Sequence, residues 1–121
     1  MRRKKMTGKK TGHARGLNAE TIAALYLRCK GYRILERRFR TPLGEIDIIA
    51  RRGGAVAFVE VKLRKTHEDA AEAIHAINQA RVRQAAALYL AKHTEYTVLE
   101  TRFDALVMAP GRLPQHIVNA F

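Results

Sequence analysis

Three acidic residues and a lysine interrupt two short apolar runs in a strongly basic chain. Glu45 and Asp47 lie in the run GEIDIIA, and Glu60 and Lys62 lie in the run AFVEVK. Carboxylates that share a site can bind a hard divalent cation such as Mg²⁺, which takes one or two carboxylates and completes its shell with water and phosphate oxygens. The two runs therefore contain the candidate residues for a cation site.

A two-glycine turn predicts how these residues meet. The glycines at 53–54 stand between the runs and are typical of a two-residue hairpin loop of type I′, in which both residues need positive φ. This loop fixes a register in which Asp47 faces Glu60 and Glu45 faces Lys62. Strand alternation also places the four side chains on one face.

Like charges that face each other in a sheet are destabilising, so Asp47 and Glu60 need a neutralising partner. Lys62 is one candidate, which would make the group a partly buried ion-pair network. A bound divalent cation is the other candidate. We favour the cation because ion-pair networks rarely share a sheet face with an aromatic side chain such as Phe58.

Helical and strand patterns flank the two runs. A first helix is predicted over 17–30, with Asn18 as its cap, Gly31 as its stop, and an apolar stripe formed by Ile22, Leu25, Tyr26 and Cys29. A long helix is predicted over about 69–92. Strands are predicted at 32–40, about 45–51, 56–62, 96–99, 102–108 and near 116–118. This order favours a single α/β domain over residues 17–121, with a mixed central β-sheet flanked by helices.

The charge of the chain favours a polyanionic partner. There are 23 Lys and Arg residues against 11 Asp and Glu residues, a formal net charge of +12. Residues 1–16 contain seven of the basic residues and no acid, which predicts a disordered basic arm that either solubilises the protein or contacts nucleic acid. Basic residues continue beyond the arm, and the candidates for nucleic-acid binding are Arg33, Arg37, Arg38, Arg40, Arg64 and Lys65.

Other features predict a cytoplasmic protein without a membrane partner. No apolar segment follows the basic arm as a signal peptide would require, and none approaches the ~20 residues that span a bilayer. The single cysteine, Cys29, cannot form an internal disulfide. A two-fold homodimer is an expectation from the behaviour of enzymes that cut two strands.

The motif Asp47, then Glu60-Val61-Lys62, resembles the core of the restriction-endonuclease-like nucleases, which carry an acid at the end of one strand and Glu-x-Lys on the next. The wider sequence resembles the YraN family of small bacterial proteins, which look like relatives of the archaeal Holliday-junction resolvases. The segments that carry this resemblance are GLNAETIAALYL, GYRIL, GEIDIIA, AFVEVK, AAALYL and HIVNAF. They extend over nearly the whole chain after the arm.

The resemblance implies a restriction-endonuclease-like fold and a metal-dependent DNA endonuclease, with branched or damaged DNA as candidate substrates. Asp47, Glu60 and the carbonyl group of Val61 would bind Mg²⁺ or Mn²⁺. Lys62 would orient or help to deprotonate a water molecule.

The resemblance adds two further candidates to the catalytic set. Glu20 matches a further acid near the metal, although a solvent-exposed surface residue is an equal alternative. Gln79 lies where related nucleases often carry a glutamine. The alternative function is a non-catalytic DNA- or RNA-binding module on a nuclease scaffold.

Overall fold

The computed structural model describes residues 18–121 and shows a mixed α/β fold. The predicted basic arm, residues 1–16, lies outside the described residues. In chain order the elements are α1 (Ala19–Cys29), β1 (Arg33–Thr41), β2 (Gly44–Arg52), β3 (Ala55–Leu63), a 3₁₀ turn (His67–Asp69), α2 (Ala70–His75), α3 (Gln79–Lys92), a second 3₁₀ turn (Thr94–Tyr96), β4 (Glu100–Met108) and β5 (Gln115–Ile117).

The five strands form one sheet in the order β1-β2-β3-β4-β5. All neighbouring strands are antiparallel except β3 and β4, which are parallel. A parallel pair needs a crossover, and α2 and α3 provide it between β3 and β4. The predicted mixed sheet flanked by helices is confirmed.

Helices cover both faces of the sheet and create two buried clusters. On one face, α3 packs against β2, β3 and β4, with Phe58 and Tyr89 among the largest buried side chains. On the other face, α1 packs against Ile48, Val59 and Leu106. Among the described residues no helix is long and apolar enough to cross a bilayer.

The first helix has the predicted cap and stop, runs over Ala19–Cys29 within the predicted range of 17–30, and buries a different face from the one predicted. Asn18 caps it by accepting a hydrogen bond from the Thr21 N–H at 2.8 Å, and Gly31 follows it at φ +92°. The side chains that pack on the sheet are Ala23, Ala24 and Leu27, whereas Ile22, Leu25 and Cys29 of the predicted stripe are exposed. The buried alanines let the helix backbone approach the sheet closely, which a count of large apolar residues does not reveal.

Two predicted elements are wrong. The continuous helix over 69–92 is divided into α2 and α3 by a break at residues 76–78, where Asn78 caps α3 by accepting a hydrogen bond from the Arg81 N–H at 3.3 Å. The predicted strand at 96–99 is instead the end of a 3₁₀ turn and the loop before β4. In that segment only Tyr96 is buried, while Val98 is 86% exposed. A strand there would bury little additional apolar surface.

A buried carboxylate ties the end of the chain to the sheet. Asp104 on β4 is fully buried and accepts hydrogen bonds from Arg102 (2.7 Å), His116 (2.8 Å) and the Asn119 N–H (3.0 Å). His116 Nδ1 also lies 2.7 Å from Lys30 Nζ. Burial alone would raise the pKa of Asp104, but its three hydrogen-bond donors outweigh burial and lower that pKa.

Candidate functional site

The β2–β3 hairpin has the predicted register as far as Ile48 and Val59, and the predicted pairs Asp47–Glu60 and Glu45–Lys62 lie beyond the last paired residues. Pairs run from Arg52 with Ala55 at the turn to Ile48 with Val59, which is the alignment that a two-residue loop at 53–54 requires. Only Gly53 has positive φ, at 56°. The prediction of a type I′ turn is therefore wrong, and the φ pattern is that of type II′, which has the same loop length and leaves the register unchanged.

Asp47 and Glu60 meet where β2 and β3 cease to pair. Beyond Ile48 and Val59, side chains replace the backbone ladder between these strands. The Asp47 carboxylate accepts a hydrogen bond from the Val61 N–H at 2.8 Å, and the Glu60 carboxylate accepts one from the Asp47 N–H at 3.3 Å. Each carboxylate is thus oriented by a backbone N–H group of the other strand.

The surroundings of this pair raise the pKa of both acids. Burial raises the pKa of Asp47, against the opposing effect of its hydrogen bond from Val61, and Glu20 raises that pKa further. Burial, followed by the charge of Asp47, raises the pKa of Glu60 to about 8. Within residues 18–121 neither carboxylate forms an ion pair. The charge of Lys62 lowers both pKa values, but it does not offset the effect of burial.

Lys62 does not supply that charge as an ion-pair partner. No acid in the described part of the chain lies within 4.0 Å of its ammonium group, so the alternative of an ion-pair network with Lys62 is not formed there. The Lys62 side chain instead lines an open cleft of ≈ 170 Å³ beside Glu60. The cleft lies between the ends of β2 and β3 and the α2–α3 junction, and its other lining residues are Glu45, Ala76, Asn78, Arg81 and Val82.

The donor set fits a hard divalent ion that keeps part of its water shell. Among the residues that the structure describes, no three His, Cys, Asp or Glu side chains group closely enough to bind a metal by themselves. Asp47 and Glu60 are two carboxylates without a cationic partner, next to the backbone of Val61. Mg²⁺ is commonly bound by one or two carboxylates with waters and phosphate oxygens, so the residues present suit it.

Glu20 lies on the α1 side of the pair and is already bound to two arginines. Its carboxylate accepts hydrogen bonds from Arg37 at 3.2 Å and from Arg38 at 2.7 Å, and its side chain is 13% exposed. It is therefore not a solvent-exposed surface residue, and it is close enough to raise the pKa of Asp47. Arg38 has φ +53°, a left-handed conformation that is uncommon for a residue with a side chain.

Four of the six predicted nucleic-acid contacts are ion-paired within the protein. Besides Arg37 and Arg38, Arg40 lies 3.4 Å from Glu45, and Arg64 lies 2.6 Å from Glu72. The two remaining candidates, Arg33 and Lys65, are exposed and have no ion-pair partner among residues 18–121. Gln79 is exposed at the start of α3 and does not line the cleft, so it is not brought to the acids.

Sequence reasoning missed Arg81 and the Asp104 network. The sequence signal for Arg81 was Asn78, a residue type that commonly caps a helix. A helix that begins after Asn78 places Arg81 in its first turn. Asp104 is the single acid in the apolar run FDALVM, as Asp47 is in GEIDIIA. In both runs, a single acid inside an apolar strand pattern indicates a buried carboxylate that needs hydrogen-bond donors.

Comparison with known proteins identifies the family. Residues 19–108 match the uncharacterised protein family UPF0102. The chain belongs to this family. UPF0102 is the YraN family, so the resemblance seen in the sequence is confirmed.

Three relatives show how far this similarity extends, each over 106 residues that make up 88% of the chain. A UPF0102 protein of Rhodopseudomonas palustris (strain BisA53) is 57% identical, with 82% of its own length aligned. A UPF0102 protein of Nitrobacter winogradskyi is 56% identical over 90% of its length. UPF0102 protein bll0669 of Bradyrhizobium diazoefficiens is 53% identical over 80% of its length.

Proposed function

We propose that this UPF0102 protein is a Mg²⁺- or Mn²⁺-dependent endonuclease that hydrolyses phosphodiester bonds, with DNA as its substrate. The observation that carries the proposal is the pair formed by Asp47 and Glu60, two partly buried carboxylates linked through the backbone N–H of Asp47 and without a basic partner at ion-pair distance among the described residues. Such a pair is stabilised by a proton or by a cation. The cleft beside it, which is open to solvent, gives a phosphate access to that cation.

Three groups of the chain would bind the ion: the carboxylates of Asp47 and Glu60 and the carbonyl oxygen of Val61. When bound, Mg²⁺ or Mn²⁺ supplies Lewis-acid polarisation of the phosphate and lowers the pKa of a water molecule. The Val61 N–H fixes the orientation of the Asp47 carboxylate through its 2.8 Å hydrogen bond. The Asp47 N–H does the same for Glu60 at 3.3 Å. Both carboxylates are therefore oriented by the backbone before any ligand arrives.

Lys62 would act on the phosphate and the attacking water. In hydrolysis the water oxygen forms a bond to phosphorus, the bond from phosphorus to one ester oxygen breaks, and the leaving oxygen ends as a hydroxyl group. The ammonium group of Lys62, free of any acid within residues 18–121, can donate hydrogen bonds to a phosphate oxygen as negative charge develops there. In its neutral form Nζ can accept a proton from the water.

The charge of the chain supports nucleic acid as the partner. A net charge of +12 attracts a polyanion, and the phosphate backbone dominates the affinity of such complexes. We expect the activity in the cytoplasm, because a chain with a single cysteine has no internal disulfide that would require an oxidising compartment. A two-fold dimer and a preference for branched or damaged DNA remain predictions. The mass of the protein in solution tests the dimer. Comparison of cleavage rates on junction and linear DNA tests the substrate preference.

The test is cleavage of labelled linear duplex, single-stranded and four-way-junction DNA in Mg²⁺ or Mn²⁺. We expect the wild-type protein to cut and Asp47→Ala to have no activity. Asp69→Ala is the matched control, because Asp69 is an exposed acid outside the cleft, and it should cut like the wild type. Salt-sensitive DNA binding without cleavage under either ion would contradict the proposal and favour the non-catalytic binding module.

A further inference from the structure

We propose that the cleft beside Glu60 is a subsite for one phosphate group of a nucleic-acid strand and that Arg81 is its main ligand. The inference rests on the proposed function, because the phosphate would be bound next to the one that reacts. Arg81 enters the cleft from the first turn of α3, opposite Lys62 on β3. Two cationic side chains on separate elements thus line one small space.

The charge of Arg81 is available to an external anion. In the described part of the chain no acid lies within ion-pair distance of its guanidinium group. In contrast, Arg37 and Arg38 are bound to Glu20, and Arg40 is bound to Glu45. Because a guanidinium group presents a planar fork of donors that matches phosphate oxygens, an unpaired arginine is well suited to this role.

The first turn of α3 is held in a fixed position relative to the acids. Asn78 accepts a hydrogen bond from the Arg81 N–H, and Gly44 packs so closely on this turn that a Cβ atom there would overlap the Arg81 carbonyl oxygen. Gly44 begins β2, the strand that carries Asp47. The backbone contact therefore sets the separation between the proposed phosphate ligand and the proposed metal ligand before substrate binds.

The size and lining of the cleft exclude recognition of a base. Its volume of ≈ 170 Å³ is below the ~300 Å³ at which pockets for whole small molecules begin. No aromatic side chain lines it, so a base has no stacking partner there. Phosphate contacts position a nucleic acid without reading its sequence, and binding at this subsite should be independent of base identity.

The test is the affinity of the full chain for labelled duplex DNA in EDTA, measured by fluorescence anisotropy over a range of salt concentrations. Arg81→Ala should weaken binding roughly ten- to a hundredfold, as expected for loss of a charged hydrogen bond, and should lower the salt slope by about one. Two duplexes of unrelated sequence should be affected equally. Arg81→Lys keeps the charge but not the fork, so it should retain the slope and lose part of the affinity.

Arg83→Ala is the matched control, because it removes the same charge from the same helix. The Arg83 guanidinium lies over the Phe103 ring at 4.4 Å and does not line the cleft. We expect it to change affinity less than Arg81→Ala. Equal affinity and equal salt slope in the two variants would overturn the subsite. Urea denaturation of Arg81→Ala and Arg83→Ala, compared with the wild type in EDTA, establishes that both variants are folded without relying on a bound metal.

The subsite and the nuclease function fail in different ways. If Arg81→Ala weakens DNA binding while the wild-type protein cuts no DNA, the subsite is supported and the hydrolytic function is wrong. If the wild type cuts, Asp47→Ala does not, and Arg81→Ala binds DNA like Arg83→Ala, the subsite is wrong and the hydrolytic function is supported.

Discussion

Replacing Glu60 by glutamine should make the metal-free protein more stable. Burial and the charge of Asp47 raise the pKa of Glu60 to about 8, against its usual 4.5. Because the folded-state pKa is raised, folding at neutral pH requires Glu60 to take up a proton that it lacks in the unfolded chain. At pH 7 this uptake costs about 3 kcal/mol. Glutamine avoids this cost, and its amide oxygen can still accept the hydrogen bond from the Asp47 N–H.

The size of the effect depends on pH. Below about pH 4.5 Glu60 is protonated in both states, so wild type and Glu60→Gln should have similar free energies of unfolding. The advantage of the variant should grow between about pH 4.5 and pH 8 and level off near ~5 kcal/mol above that. Urea denaturation in EDTA across this range measures it, and at pH 7 the expected rise in melting temperature is roughly 10 °C.

Two controls make this result specific to Glu60. Glu72→Gln should bring no gain in stability, because the hydrogen bond from Arg64 lowers the pKa of Glu72. Adding Mn²⁺ should stabilise the wild type and leave Glu60→Gln unchanged, since only the wild type retains both carboxylates. A destabilised Glu60→Gln in EDTA, or a stability difference that does not vary with pH, would refute the argument and indicate that Glu60 is charged and paired.

Three further predictions concern metal binding by Glu60, the Asp104 network and the close approach of Gly44. Because Glu60 must lose its proton to bind an ion, the Mn²⁺ association constant from calorimetry should rise about tenfold per pH unit below about pH 8 and then level off; a flat profile would contradict this role. Asp104→Ala should lower the free energy of unfolding by about 3–5 kcal/mol, because it leaves three partly buried donors, two of them cationic groups or potentially so, without their acceptor, and a loss below ~1 kcal/mol would contradict the network. Gly44→Ala should cost about 1–3 kcal/mol through overlap with Arg81, whereas Gly54→Ala, with nothing within 4 Å, should stay within ~0.5 kcal/mol.

The hairpin could be predicted from sequence because its determinants are local. Two adjacent glycines define a two-residue loop, and the loop length alone fixes which residues face each other. The type of turn did not matter, since types I′ and II′ give the same register. This is why the meeting of Asp47 and Glu60 was predictable, although the hydrogen bonds that replace the ladder beyond Ile48 were not.

Features that depend on tertiary packing were not predictable in the same way. The alanine-rich segment at 69–92 has helical propensity throughout, which hides its division at 76–78, and the close approach of Gly44 to the first turn of α3 is seen only in the fold. Arginines such as Arg37 and Arg38 resemble free phosphate ligands in sequence. Their pairing with Glu20 joins the start of α1 to the middle of β1, and this contact depends on how the helix packs against the strand.

The Asp104 network has a consequence for where the folding unit ends. The family match stops at residue 108, yet His116 and the Asn119 N–H, two of the donors to Asp104, lie beyond it. Ala120 and Phe121 also pack against the sheet, and the Phe121 ring lies 5.6 Å from that of Phe103. Truncation at residue 108 would thus remove two hydrogen-bond donors to Asp104 and two side chains that pack on the sheet, so residues 109–121 belong to the unit that folds cooperatively.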